Sequence, residues 1–143
     1  MTSMTQAEKQ QFLADLHVGV LSIPQPALGP LTVPVWYDYT PGAELWFLTG
    51  PTSRKGKLLQ SGVRISLCAQ SETPPYKYVS IEGPVVFIGV ADRETHGRPM
   101  ARRYLGQAMG DQYIDAGGDE GSVVVRVRPE RWLAVDYGKS WSG

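Results

Sequence analysis

Apolar residues in this chain recur mostly at every second position, the period of a half-buried strand. Residues 18–23, a run containing Val18, Val20, Leu21 and Ile23, close at Pro24 and Pro26 and read as a first strand. Residues 31–39 place Val33, Val35, Tyr37 and Tyr39 on one face and Pro34, Trp36 and Asp38 on the other. Pro34 cannot donate a ladder hydrogen bond, so it belongs at an edge, at a bulge, or where a ligand replaces a neighbouring strand. Pro41-Gly42 turns this second strand into a third, residues 45–49, making a hairpin. Residues 63–69 form a fourth strand. Residues 78–90 form a long one, with a bulge or sharp bend expected at Gly83-Pro84. Residues 122–128 alternate Val123, Val125 and Val127 against Val124, Arg126 and Arg128, and residues 132–137 make a last strand.

The period changes in three places. Thr5 and Glu8 have capping-box spacing, and Phe12, Leu13 and Leu16 then mark a short helix ending near His17. A second short helix follows residue 53. Between residues 92 and 113, Met100, Tyr104, Leu105 and Met109 recur at threes and fours, with Pro99 separating a first turn from the main helix and Arg98, Arg102 and Arg103 on its polar side. The pattern predicts a mainly β fold: six or seven mostly antiparallel strands, closed as a small barrel, with two or three helices.

At 143 residues the chain suits a single domain, 1–143. Fourteen cationic and fourteen acidic residues balance, which argues against non-specific nucleic-acid binding. Cys68 is the one cysteine, so an internal disulfide and a cysteine-based metal site are excluded; its apolar neighbours suggest an inert buried thiol. No stretch reaches the roughly 20 apolar residues needed to span a bilayer, and no signal core precedes Gln11. A cytoplasmic protein is expected.

One stretch breaks the charge balance. After the strand at 45–49 come Gly50 and Pro51, then Thr52 or Ser53 as a helix N-cap, then Arg54, Lys55 and Lys57 ahead of Leu58 and Leu59. Cations in a first helical turn oppose the helix dipole, so they call for something negative among them, and a phosphate is the natural guest. Gly56, a poor helix former, makes sense if a ligand or another backbone approaches closely. The alternative is an ordinary solvated face.

This stretch, followed by Leu58-Leu59 and the strand Val63-Arg64-Ile65-Ser66-Leu67, resembles the split β-barrel family of pyridoxamine 5′-phosphate oxidase-like proteins over about residues 18–88. The resemblance implies that Thr49, Ser53, Arg54 and Lys55 hold a cofactor phosphate. Pro34-Val35-Trp36-Tyr37 together with Ser-Arg-Lys looks like the actinobacterial branch that uses the deazaflavin coenzyme F420, which adds Lys57 and sets the strand from Pro34 to Tyr37 beside the tricyclic ring. Two departures count against pyridoxamine phosphate oxidation and against FMN as cofactor. Thr32 or Val33 stands where the oxidase has a cation, and Tyr78 stands where it has a Gln on the flavin. The family further implies a homodimer with cofactor sites at the subunit interface.

No catalytic triad, carboxylate pair or metal-spaced cluster is visible, so a redox cofactor would carry the chemistry. The expected reaction is hydride transfer from the reduced deazaflavin to an unsaturated small molecule, with the proton drawn from solvent or from Tyr37. Alternatives are an FMN enzyme, a cofactor or haem carrier, and a purely structural barrel. His17 and His96 read as structural. Trp36 divides between core and ring contact. The segment from Asp136 to Trp141 packs over a partner's cofactor or covers an edge strand. The Arg98, Arg102 and Arg103 cluster is solvated or receives the acidic tail of a polyglutamylated deazaflavin.

Overall fold

A computed structural model describes residues 1–140. The elements run α1 (Gln6–Ala14), β1 (Gly19–Ile23), β2 (Leu31–Val35), β3 (Tyr37–Tyr39), β4 (Leu45–Thr49), α2 (Arg54–Leu58), β5 (Arg64–Gln70), β6 (Lys77–Val90), α3 (Arg98–Leu105), α4 (Gln107–Asp115), β7 (Val123–Val127) and β8 (Arg131–Asp136). A π-helical turn, Arg93–Gly97, precedes α3, and a 3-10 turn, Tyr137–Ser140, follows β8. All strand pairings are antiparallel, in the order β2-β1-β5-β6-β7-β4-β3, with β8 on β6.

β6 organises the sheet. Its first half, residues 77–82, lies between β5 and β8, and its second half pairs with β7. The predicted bend falls where the strand passes from one half-sheet to the other. A Cβ on Gly83 would lie 1.8 Å from the Arg128 carbonyl oxygen, so only glycine admits that crossing. Pro84 has no N–H to lose, and the register slips between Val85 and Phe87.

Eight strands replace the six or seven expected, because the alternating stretch 31–39 is two strands. β2 pairs with β1, β3 pairs with β4, and Trp36 between them belongs to neither. The alternation itself holds: Val35, Tyr37 and Tyr39 are buried. The core joins both half-sheets through Leu21, Ile23, Tyr37, Phe47, Leu67 and Ile81, and α1 adds Phe12 and Leu13. Side chains of this size bury about 1.5–3 kcal/mol each of transfer free energy, which is the main term holding the halves together.

The helical insertion between β6 and β7 also departs from the expectation. Pro99 starts α3, but Gly106, at φ +82°, ends it, and α4 sets off in a new direction. Four α-helices therefore replace two or three. Met109 falls off the apolar stripe and is exposed, whereas Met100 is buried. The helices cross at Gly110, where a Cβ would meet the Arg102 backbone at 2.7 Å.

Carboxylates lock the surface of this insertion. Arg98 reaches Glu94 at 2.8 Å, Asp111 at 2.9 Å and Asp115 at 2.8 Å, and Arg102 reaches Asp111 at 2.8 Å. These guanidinium contacts hold all three carboxyls below their usual range. Glu8, 2.7 Å from Lys139, is held at about 2. Depressed carboxyl pKa values contribute stability above the unfolded-state range near pH 4, and it is lost as pH falls through the folded values. The urea midpoint is therefore expected to fall between pH 5 and pH 2. A midpoint constant over that range would mean that these pairs add nothing in solution.

The C-terminal segment is tied to the N-terminus: the Asp136 N–H donates to the Thr2 carbonyl at 2.8 Å, and Lys139 Nζ donates to the Ser3 carbonyl at 2.8 Å. Trp141 lies outside the described residues. Among the described residues, no helix is long and apolar enough to cross a membrane.

Candidate functional site: a cationic turn beside an aromatic groove

Thr49 ends β4 with its side chain buried, and Gly50-Pro51 breaks the strand. Ser53 is the N-cap of α2: its Oγ accepts the Gly56 N–H at 3.1 Å, donates to the Gly50 carbonyl at 2.7 Å and lies 3.3 Å from Thr49 Oγ1. Gly56 is explained by a backbone, because a Cβ there would lie 2.1 Å from the Gly50 carbonyl oxygen. Leu59 packs into the core and anchors the turn from the other end.

With five residues, α2 has little dipole to offer, and its cap already holds one of its free N–H groups. Side-chain charge, rather than the helix dipole, makes this turn electropositive. Among the described residues, nine of the fourteen lysines and arginines have a carboxylate within 4.0 Å. The five without one are Lys9, Arg126, Arg54, Lys55 and Lys57, so three of the five crowd one turn. Arg54 has only the neutral Gln25 side chain, at 3.0 Å.

Lys55 opens onto a groove of about 160 Å³ walled by Pro34, Val35 and Trp36, with Leu48 and Met100. The Trp36 ring stacks on Tyr104, centroids 5.0 Å apart and 3° from parallel, and meets Tyr113 edge-on at 6.2 Å. It therefore lines the groove rather than filling the core. A second cavity of about 240 Å³ shares Leu48 and Asp119 with the groove. Asp119, in the left-handed region at φ 62° and with its carboxyl pushed up by burial, sits in the loop between α4 and β7. Leu48, Met100 and Asp119 were not legible as site residues. The only hint of Asp119 was its setting between Gly118 and Gly121.

Thr49, Ser53, Arg54, Lys55 and Lys57 thus gather in one turn, and Pro34, Val35 and Trp36 stand beside Lys55. Tyr37 does not join them. Its side chain is fully buried, its hydroxyl donates to the Leu13 carbonyl at 2.7 Å, and burial raises its pKa, which removes it as a proton donor. Tyr78 is also apart from the groove lining: it lies on β6 between Gln70 and Val135.

The arginine cluster lies at the surface, with Arg102 exposed, but its charges are paired. Arg98 and Arg102 are neutralised by carboxylates, and Arg103 Nη2 donates to the Ala14 and Asp15 carbonyls at 3.1 and 3.0 Å, so the cluster has little charge left for an acidic tail. His17 stacks on Phe12 at 4.3 Å, with its Nε2 buried and unpartnered, and burial lowers its pKa. His96 Nδ1 accepts the Asp92 N–H at 2.9 Å. Neither histidine lines the groove, which leaves a haem there without an axial imidazole. Cys68 is half-buried, and burial raises its thiol pKa, as an inert thiol requires.

Comparison with curated proteins gives no match. Among solved structures, a conserved hypothetical protein from Mycobacterium tuberculosis superposes with a TM-score of 0.76 at 23% identity, over 99% of this chain and 91% of that one. An F420 reductase superposes with a TM-score of 0.69 at 20% identity, over 87% and 94%. A FAD-binding protein from Mesorhizobium loti gives 0.64 at 17%, over 93% and 95%. At these identities the likeness establishes the fold. Residues 5–136 match the sequence profile described as pyridoxamine 5′-phosphate oxidase, nearly the whole chain. The chain belongs to the pyridoxamine 5′-phosphate oxidase family, which includes flavin-type oxidoreductases and is built on the split β-barrel.

Proposed function

We propose that the cationic turn and the groove beside it bind the deazaflavin coenzyme F420, and that the protein is a reductase acting on an unsaturated small molecule. The observation that carries this is the grouping of Arg54, Lys55 and Lys57, three cations without carboxylate partners among the described residues, around the Thr49 and Ser53 hydroxyls. Such a donor set fits a phosphate. Charge-assisted hydrogen bonds contribute about 1.5–3 kcal/mol each, and micromolar affinity needs about 8 kcal/mol beyond the cost of association, so a ring must supply the remainder. Pro34, Val35 and Trp36 offer the surface for it. Bound and reduced, the deazaflavin supplies a hydride. The chain's own residues fix the phosphate, hold the ring and keep water from it.

The preference for deazaflavin over FMN rests on the Pro34-Val35-Trp36-Tyr37 run beside Ser53-Arg54-Lys55. A homodimer belongs to the same reading. The groove, at about 160 Å³, is well below the roughly 300–1,000 Å³ of sites that enclose a ligand of this kind, so one chain supplies part of a site. The outer face of the β2-β1-β5-β6-β8 half-sheet offers the place for a second copy. Val20, Cys68, Ser80 and Leu133 form a cross-strand row there that continues to Pro34 at the groove. Small side chains in that row allow close approach of two sheets, and exposed Leu133 gives apolar area to bury. Tyr78, next to Ser80 on that face, would then act across the interface.

The test is a titration of the protein with F420 and with FMN, read by fluorescence, beside Lys55→Ala. Low-micromolar F420 binding, much weaker FMN binding and at least a tenfold loss in Lys55→Ala are expected. Tighter FMN binding would transfer the reading to an FMN oxidoreductase, and binding of neither would overturn the cofactor site.

A further inference from the structure

Trp36 stands at the one place where the 31–39 stretch leaves its strand ladder, passing from β2 in one half-sheet to β3 in the other. Immediately after the switch, Tyr37 opens β3, the edge strand of its half-sheet, whose side away from β4 has no neighbouring strand; there two side chains from one turn of α3 provide the partners. The Tyr104 hydroxyl accepts the Tyr37 N–H at 3.0 Å and donates to the His17 carbonyl. Arg103 Nε donates to the Tyr37 carbonyl at 3.1 Å, while its Nη2 takes the Ala14 and Asp15 carbonyls at the end of α1. Arg103 Nη1 also lies 3.5 Å from Asp38. Both polar groups of the Tyr37 peptide unit are thereby satisfied by α3. The Tyr104 ring meanwhile backs the Trp36 indole at 5.0 Å, nearly parallel.

Resting on the proposed cofactor groove, we infer that Tyr104 and Arg103 are positioning residues: they fix the strand switch so that the Trp36 ring is presented to the ring-binding part of the site. They act on the cofactor through Trp36, since neither lines the groove. Their effect belongs to the ring and not to the phosphate, because Ser53, Arg54, Lys55 and Lys57 are held by a different turn on β4 and α2. Pre-positioned aromatic surface raises affinity by removing the ordering step from the binding event.

The experiment compares Tyr104→Leu, Tyr104→Phe and Lys55→Ala against two probes, F420 by fluorescence and inorganic phosphate by phosphorus NMR, in full-length protein checked for an unchanged far-UV spectrum. Tyr104→Leu is expected to weaken F420 at least tenfold and to leave phosphate within twofold. Tyr104→Phe, which keeps the stacked ring and loses the hydroxyl, should fall between wild type and Tyr104→Leu. Lys55→Ala should weaken both probes. Wild-type affinity for F420 in Tyr104→Leu, or parallel loss of both probes, overturns the inference alone. Failure of the wild-type protein to bind F420 overturns the functional reading, and the inference with it.

Discussion

Alanine at Gly83 is expected to lower stability by about 3 kcal/mol or more, a large part of the 5–15 kcal/mol typical of a domain. The added Cβ would lie 1.8 Å from the Arg128 carbonyl oxygen and 2.9 Å from its carbon, and both are backbone atoms that no rotamer change can move. The Arg128 N–H donates to the Pro84 carbonyl at 3.1 Å, and the Glu130 N–H donates to the Glu82 carbonyl at 2.9 Å. Separating the two segments breaks both bonds, at about 1 kcal/mol each, on top of 1–3 kcal/mol of overpacking. A loss of this size lowers the melting temperature by about 10 °C. The control is Gly50→Ala, where an added Cβ has nothing within 4 Å and φ is not left-handed; it should stay within about 0.5 kcal/mol. Calorimetry of the two variants decides it, and a Gly83→Ala midpoint equal to wild type would refute the close crossing. The bend bears on the candidate site because the groove takes Pro34 and Val35 from one side of the Gly83 corner and Leu48 from the other.

The same corner shows what could be read without coordinates. Gly83-Pro84 marked the bend because neither residue suits the middle of a regular ladder. The sequence could not say that the bend moves β6 from one half-sheet to the other, since pairing partners are chosen by contacts distant in the chain. The alternation at 31–39 was legible, and so was its buried face. The switch at Trp36 was not, because a strand that changes partners keeps its period of two. For Tyr37 the period of two predicted the side chain's place: the residue sits on the apolar face and is buried there, away from the groove lining. The cationic turn was legible as a candidate site, since Arg54, Lys55 and Lys57 fall within four consecutive residues and local charge needs no fold to be seen. Asp119 and Met100 were invisible for the opposite reason. They reach the groove from the insertion between β6 and β7, whose break at Gly106 turned one expected helix into two.

Replacing the three cations together, as Arg54→Gln, Lys55→Gln and Lys57→Gln, is expected to separate function from stability. Cofactor affinity should fall by about a hundredfold to ten-thousandfold, the equivalent of losing two charge-assisted hydrogen bonds of 1.5–3 kcal/mol each. Stability should rise. Arg54 and Lys57 are helical neighbours of like charge, and among the described residues none of the three cations has a carboxylate within 4.0 Å to offset the repulsion, so removing them relieves about 0.2–0.5 kcal/mol. The one loss is the Arg54 contact with Gln25, an exposed hydrogen bond between a cation and a neutral amide. Urea unfolding of the free protein and a cofactor titration at two salt concentrations measure both effects. Wild-type affinity should weaken with salt, whereas the variant's residual affinity, carried by the ring, should not. If the variant binds within threefold of wild type, the cations are an ordinary solvated face. If its stability falls, they are already engaged in the free protein by contacts of their own. A rise in stability together with a loss of binding is the signature of charges kept in place for a ligand.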